Sequence, residues 1–253
     1  MKKPLILISN DDGAGAAGLR KLIAIMRRLG DVVTIVSEGP MSGMGHAVTM
    51  QQPLRARLVA DEPGYKEYIT NGTPVDNIKM GKHLLLDKTP DVVVSGINHG
   101  SNAAINVIYS GTMGAVLEAA IDGIPAIGFS LDDYSSKASF EHTEQFVEQI
   151  TKKVLQDGLP KNVCLNVNFP PFTASGPKGI KICRQANARW IEDFEERIDP
   201  YGRNYYWMGG RFENGDSRHE TDLKALAENY VSVVPTQFDF TAHEFVTKLN
   251  FEA

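Results

Sequence analysis

Apolar residues along this chain alternate between short unbroken aliphatic runs and longer stretches where they recur every third or fourth position. Residues 5–8 (Leu-Ile-Leu-Ile), bounded by Pro4 and Asn10, predict a strand buried on both faces. Residues 18–29 place Leu19, Leu22, Ile23, Met26 and Leu29 at helical spacing, with Gly30 at the C-cap. The β-branched run 32–36 follows. Strand, helix, strand at this spacing is a βαβ unit, which requires a parallel pair. The alternation continues with a helix over 75–86, a strand over 91–95 and a helix of small residues over 112–122, stopped by Gly123. Next come a strand over 125–130, an amphipathic helix over 140–155 that ends near Gly158, and a strand over 163–167. This predicts an α/β fold: a Rossmann-like, doubly wound, mostly parallel sheet between two helical layers.

Two regions break the rhythm. Val48-Thr49-Met50 and the alternation over 54–59 predict antiparallel strands covering one edge of the sheet. After Pro170-Pro171 the composition changes. Residues 184–219 carry Trp190, Tyr201, Tyr205, Tyr206, Trp207 and Phe212, with Asp199-Pro200-Tyr201-Gly202 as a turn, and read as an aromatic β-hairpin arm. A strand over 231–235 and a terminal helix over 243–249 follow. The expected division is a core domain over 1–180 and a C-terminal extension over 181–253 that carries the arm and packs back on the core.

Composition narrows the possible functions. At 253 residues with a net charge of −5, the chain can bury a large core and has no basic excess for a stable nucleic-acid partner. Its two cysteines, Cys164 and Cys183, lie in apolar runs without zinc-site or disulfide spacing, so they are expected to be reduced core residues. The apolar stretch near the N-terminus is too short for a signal peptide or a membrane span. A cytoplasmic protein without membrane attachment is expected.

Asp11 and Asp12 follow the first strand directly, before Gly13. Adjacent carboxylates repel, and desolvating them is costly unless a cation or proton intervenes. In open α/β sheets ligands bind beyond the carboxyl ends of the strands. Two further loops belong at that edge: residues 37–45 with Ser42-Gly43, and Gly96-Ile97-Asn98-His99-Gly100. Two carboxylates, a hydroxyl and an amide are oxygen donors, suited to Mg²⁺ or Mn²⁺. Tyr109-Ser110-Gly111-Thr112, opening the small-residue helix, adds an anion site at a helix N-terminus. A cation beside an anion pocket points to metal-assisted hydrolysis of a phosphate ester.

In order along the chain, Ser9-Asn10-Asp11-Asp12-Gly13, Ser42-Gly43, Asn71-Gly72-Thr73-Pro74, Ser95-Gly96-Ile97-Asn98 and Tyr109-Ser110-Gly111-Thr112 resemble the motif series of the SurE (survival protein E) family. The resemblance implies a metal-dependent 5′/3′-nucleotidase acting on nucleoside monophosphates, with residues 1–180 as its catalytic domain and water as nucleophile. It implies one divalent cation per subunit, held by Asp11, Asp12, Ser42 and Asn98. Asn10, Gly43, Ser110, Gly111 and Thr112 would lie on the substrate side. It also implies a hairpin arm exchanged between subunits of a dimer or tetramer. The chain departs from the pattern at Ala14-Gly15-Ala16-Ala17-Gly18 and at Ser37-Glu38-Gly39-Pro40-Met41, which bears on base preference.

His46 is a further catalytic candidate, close enough behind Ser42-Gly43 to protonate a leaving oxygen, or equally a structural histidine. His99 supports Asn98 or faces solvent. Aromatic rings on the arm can stack a nucleobase, but subunit packing explains them better, since an isolated two-stranded ribbon is marginal in water. Two other readings stay open: a phosphatase with Asp11 as nucleophile, and a non-catalytic nucleotide-binding regulator.

Overall fold

Runs with no polar face became the inner strands of one nine-stranded sheet in the computed structural model, which describes residues 3–249. The elements are β1 (Leu5–Ser9), α1 (Ala17–Leu29), β2 (Asp31–Ser37), β3 (Ala56–Glu62), β4 (Tyr65–Thr70), α2 (Pro74–Met80) and β5 (Val92–His99). They continue with α3 (Asn106–Tyr109), α4 (Gly111–Ile121), β6 (Ala126–Leu131), α5 (Glu144–Asp157), β7 (Val163–Phe169) and β8 (Ile180–Ile182). Last come β9 (Ala188–Ile198), β10 (Asn204–Asn214), α6 (Asp222–Ala227), β11 (Val231–Gln237) and α7 (His243–Val246).

The sheet order is β3-β4-β2-β1-β5-β6-β7-β11-β8. From β4 to β7 every pairing is parallel, while β3 and β11 join antiparallel. The chain builds outward from β1 through β2, then returns to place β5 on the other side of β1. The β1/β5 boundary is therefore a topological switch point, where a crevice opens at the carboxyl ends.

Strand periodicity divides the core between two faces. Ile6 and Ile8 of β1 join α1 and α5 through Leu22, Met26, Val147 and Ile150. Leu5 and Leu7 turn the other way, toward Ile78 of α2 and Met113 and Val116 of α4. Helix α4 is buried from Gly111 to Ala120, so it needs apolar and small residues all round instead of one apolar stripe. The C-terminal extension returns to this core: β11 pairs with β7, and β8 pairs with β11. Only β9 and β10 stand apart, as a two-stranded arm.

Three expectations need correction. Residues 48–50 form no strand. The Thr49 N–H donates to Asp76 Oδ1 at 3.0 Å and the Ala47 carbonyl accepts from Thr73 Oγ1 at 2.7 Å, so the α2 capping box takes the place of a sheet ladder. The expected helix over 75–86 is α-helical only to Met80. It then widens into a π-helical turn, Gly81–Leu85, where Gly81 lies close against Leu7 and Ile35. The terminal helix is one turn, His243–Val246. Among the described residues, no helix is long and apolar enough to cross a membrane.

Candidate active site

The switch-point crevice collects its polar groups from three strand ends. After β1, Asn10 is fully buried and donates Nδ2–H to the Gly13 carbonyl at 3.1 Å, which closes the turn that presents Asp11 and Asp12. Asp11 is buried and faces the start of α4. The Thr112 hydroxyl donates to its Oδ1, and the Gly111 N–H donates to its Oδ2 at 3.1 Å. Asp12 is half-buried and accepts the His99 backbone N–H at 2.9 Å.

The loop after β2 is held by its backbone. Met41 N–H donates to the Asp11 carbonyl at 2.7 Å, and Gly45 N–H donates to the Tyr109 carbonyl at 2.9 Å. Ser42 and Gly43 are thereby placed on the same pocket as Asp11. The third loop depends on an irregularity: the β5–β6 register shifts between Ser95 and Asn98, a bulge that re-aims the end of the strand. Gly96 makes this possible. Its φ is +118°, and a Cβ there would stand 2.2 Å from the Phe129 carbonyl oxygen. Asn98 then fixes itself by donating Nδ2–H to the Gly100 carbonyl at 2.8 Å.

The loop that follows is clamped from below. Asn168 Oδ1 accepts from Asn102 N–H at 2.8 Å, Asn102 Nδ2–H reaches Ser130 Oγ at 2.8 Å, and Asn166 Nδ2–H reaches the Asn102 carbonyl at 2.8 Å. A satisfied buried polar network of this kind rigidifies the loop it holds.

Asp11, Ser42, Gly43, Asn98 and Ser110 line one pocket of about 220 Å³. Asp12 opens on an adjoining cavity of about 230 Å³, with His99 common to both. Burial holds the Asp11 carboxyl above its ordinary range, against the lowering effect of the Thr112 hydroxyl and nearby backbone N–H groups. Burial, followed by the charge of Asp11, pushes Asp12 up to about 6, against the His99 N–H. The pair is thus desolvated and mutually repelling, the situation a cation relieves. The Asn10 Oδ1 acceptor beside it is buried without a partner. Among the described residues no cluster of three or more His, Cys, Asp or Glu side chains is placed to hold a metal. The donors here are carboxylate, hydroxyl and amide oxygens, a set that fits a hard divalent cation.

Not every expected residue enters the pocket. Ser110 lines it, but its hydroxyl also caps α4 by accepting from Met113 N–H at 3.0 Å. Gly111 and Thr112 touch the site through Asp11. His46 is not on this wall: its Nε2 is 3.0 Å from Glu118 Oε2, and it lines a neighbouring cavity of about 870 Å³, with Ser110 common to both, together with Leu117, Arg184 and Phe238. Sequence reasoning missed Asn102, Asn106 and Tyr134 and gave Trp190, with the rest of the arm, to subunit packing; all four are on the pocket wall. The recurrence of Asn98, Asn102 and Asn106 behind one strand was the available signal.

A doubly wound sheet with paired aspartates and further oxygen donors at its switch point defines the class: an α/β protein with a polar crevice at the carboxyl ends of its strands. Residues 6–192 match the model of one such family, Survival protein SurE, and the chain belongs to that family. It is 55% identical over 251 residues to the 5′-nucleotidase SurE of Christiangramia forsetii, covering 98% of this chain and 96% of that protein. It is 54% identical over 251 residues to the 5′-nucleotidase SurE of Cytophaga hutchinsonii, covering 99% and 97%. The crystal structure of the SurE protein from Aquifex aeolicus superposes with a TM-score of 0.83 at 36% identity, covering 97% of this chain and 98% of that one.

Proposed function

We propose that this protein is a divalent-cation-dependent 5′/3′-nucleotidase that hydrolyses nucleoside monophosphates to nucleoside and phosphate. The reading is carried by the convergence of Asp11, Ser42 and Asn98 on one switch-point pocket, with Asp12 bonded beside them to His99. Asp11, Asp12, Ser42 and Asn98 would hold one Mg²⁺ or Mn²⁺. When bound, that cation supplies charge neutralisation and Lewis-acid polarisation of the phosphoryl group. The protein does the positioning. Thr112 and Gly111 orient Asp11, the His99 N–H orients Asp12, and the Asn102–Asn168 clamp holds the loop that follows Asn98.

Water is the nucleophile in this reading: its oxygen bonds to phosphorus, the ester P–O bond breaks, and the departing oxygen leaves protonated. The stereochemical course at phosphorus tests this: a single displacement by water inverts an isotopically chiral phosphorothioate ester, and net retention, the mark of two displacements through an aspartyl-phosphate, contradicts it.

We further infer self-association into a dimer or tetramer through the arm, whose outer part exposes Phe194, Ile198, Trp207 and Met208. Cys164 and Cys183 are free and buried, which supports a reducing, cytoplasmic setting. The deciding assay is phosphate release from 5′- and 3′-nucleoside monophosphates with Mg²⁺, Mn²⁺ or a chelator. Metal-dependent release supports the reading. Nucleotide binding without release would favour a regulator instead.

A further inference from the structure

The root of the arm reaches the pocket. Trp190 of β9 donates its indole Nε1–H to Asn106 Oδ1 at 2.8 Å, and Asn106 Nδ2–H donates to the Ser101 carbonyl at 3.2 Å. On its other side Trp190 meets Phe212 of β10 edge to face, with ring centroids 5.3 Å apart and planes at 63°. The buried Asp222 ties the same region together: Oδ1 accepts the Ala186 N–H at 3.0 Å and Oδ2 the Ala104 N–H at 2.8 Å. Trp190 is therefore held at its polar tip and along one edge, yet it remains 38% exposed on the wall of the pocket that contains Asp11, Ser42 and Asn98.

Tyr134 lines the same pocket and is anchored in the same way. Its hydroxyl accepts the Ser101 N–H at 3.2 Å, and its ring rests on Gly100, where a Cβ would stand 2.7 Å from Tyr134 Cε1. Both aromatic side chains commit their polar tips to the loop that follows Asn98 and leave ring surface at the pocket. A phosphate has no use for such a surface, because it is satisfied by polar groups. A planar base does, since every nucleobase offers a π-face to an aromatic side chain.

We propose that Trp190, together with Tyr134, forms the nucleobase wall of this pocket, which makes Trp190 a specificity-determining residue for nucleotides over sugar phosphates. This rests on the nucleotidase reading above. Trp190 is thereby separated from the rest of the aromatic arm: its root serves the site, and its tip serves contacts between subunits.

The test compares a nucleoside 5′-monophosphate with ribose 5-phosphate, which lacks the base, on the full-length protein. Trp190→Ala is expected to raise KM for the nucleotide about tenfold, with kcat kept within about twofold and ribose 5-phosphate kinetics unchanged. Trp190→Phe, which keeps a ring but loses the bond to Asn106, is expected to restore most of the nucleotide KM. Equal losses on both substrates, or no change on the nucleotide, overturn the proposal. A binding readout stands apart from turnover. In Trp207→Phe, Trp190 is the only tryptophan, and a free purine nucleoside should quench its emission while inorganic phosphate does not. Absence of quenching overturns the base wall even in a folded, active protein. Wild-type protein that hydrolyses neither substrate refutes the nucleotidase reading instead, and the quenching then decides the base wall alone.

Discussion

Thr112 donates its hydroxyl to the Asp11 carboxylate across 101 positions of sequence, so the first turn of α4 grips the loop that ends β1. The neighbouring Gly111 N–H takes the other oxygen at 3.1 Å. Part of a helix N-terminus that sequence reasoning assigns to phosphate is thus turned onto a protein carboxylate. There it offsets the cost of burying charge.

Thr112→Val keeps the shape of the side chain and removes the donor. A buried carboxylate oxygen then lacks its partner, which should lower stability by about 1–3 kcal/mol. Misplacing Asp11 should cut kcat by about tenfold or more. Gly111→Ala reaches the same end sterically, because its Cβ would stand 2.8 Å from Asp11 Cβ. Urea denaturation and phosphate-release kinetics measure both effects. Unchanged kcat in both variants would show that α4 does not position Asp11.

The strands and most helices were legible because burial on both faces leaves unbroken aliphatic runs, as in Leu5–Ser9, and burial on one face leaves the helical stripe of Ala17–Leu29. Asp11, Ser42 and Asn98 were legible because strand ends in such a sheet converge. The partner of His46 was not: nothing local announces that Glu118, deep on another helix, lies 3.0 Å from it. The β-like pattern at Val48–Thr49–Met50 misled for the same reason, its backbone being claimed by Asp76 and Thr73 from α2. Long-range polar pairing leaves no period in a sequence.

Glu118 receives both His46 and Lys79, and its carboxyl is held below the ordinary 4.5 by the His46 hydrogen bond, with burial opposing and Lys79 assisting. A lowered folded-state pKa contributes stability that is fully present above the unfolded value and is lost as pH falls through the folded one. Wild-type protein should therefore exceed Glu118→Ala by about 1–2 kcal/mol near pH 6, discounted because Lys79 and His46 are partly exposed. The gap should close as pH drops below about 4. A gap that stays constant with pH would mean that packing, not charge, is lost.

Charge placed at the tip of the arm should separate subunits without unfolding the core, since β9 and β10 pair only with each other. Sedimentation velocity of Phe194→Lys/Trp207→Lys should show a smaller species than wild type, with unchanged core stability. Equal sedimentation of the two proteins would remove the arm from assembly.

The central claim is that Asp11 and Asp12 share one divalent cation. Titration calorimetry of Mn²⁺ into metal-stripped protein tests it most directly. The account predicts about one site per chain in wild type, and a loss of at least about tenfold in affinity in Asp12→Asn, as one of two carboxylate ligands goes. Equal Mn²⁺ binding by Asp12→Asn and wild type would contradict it.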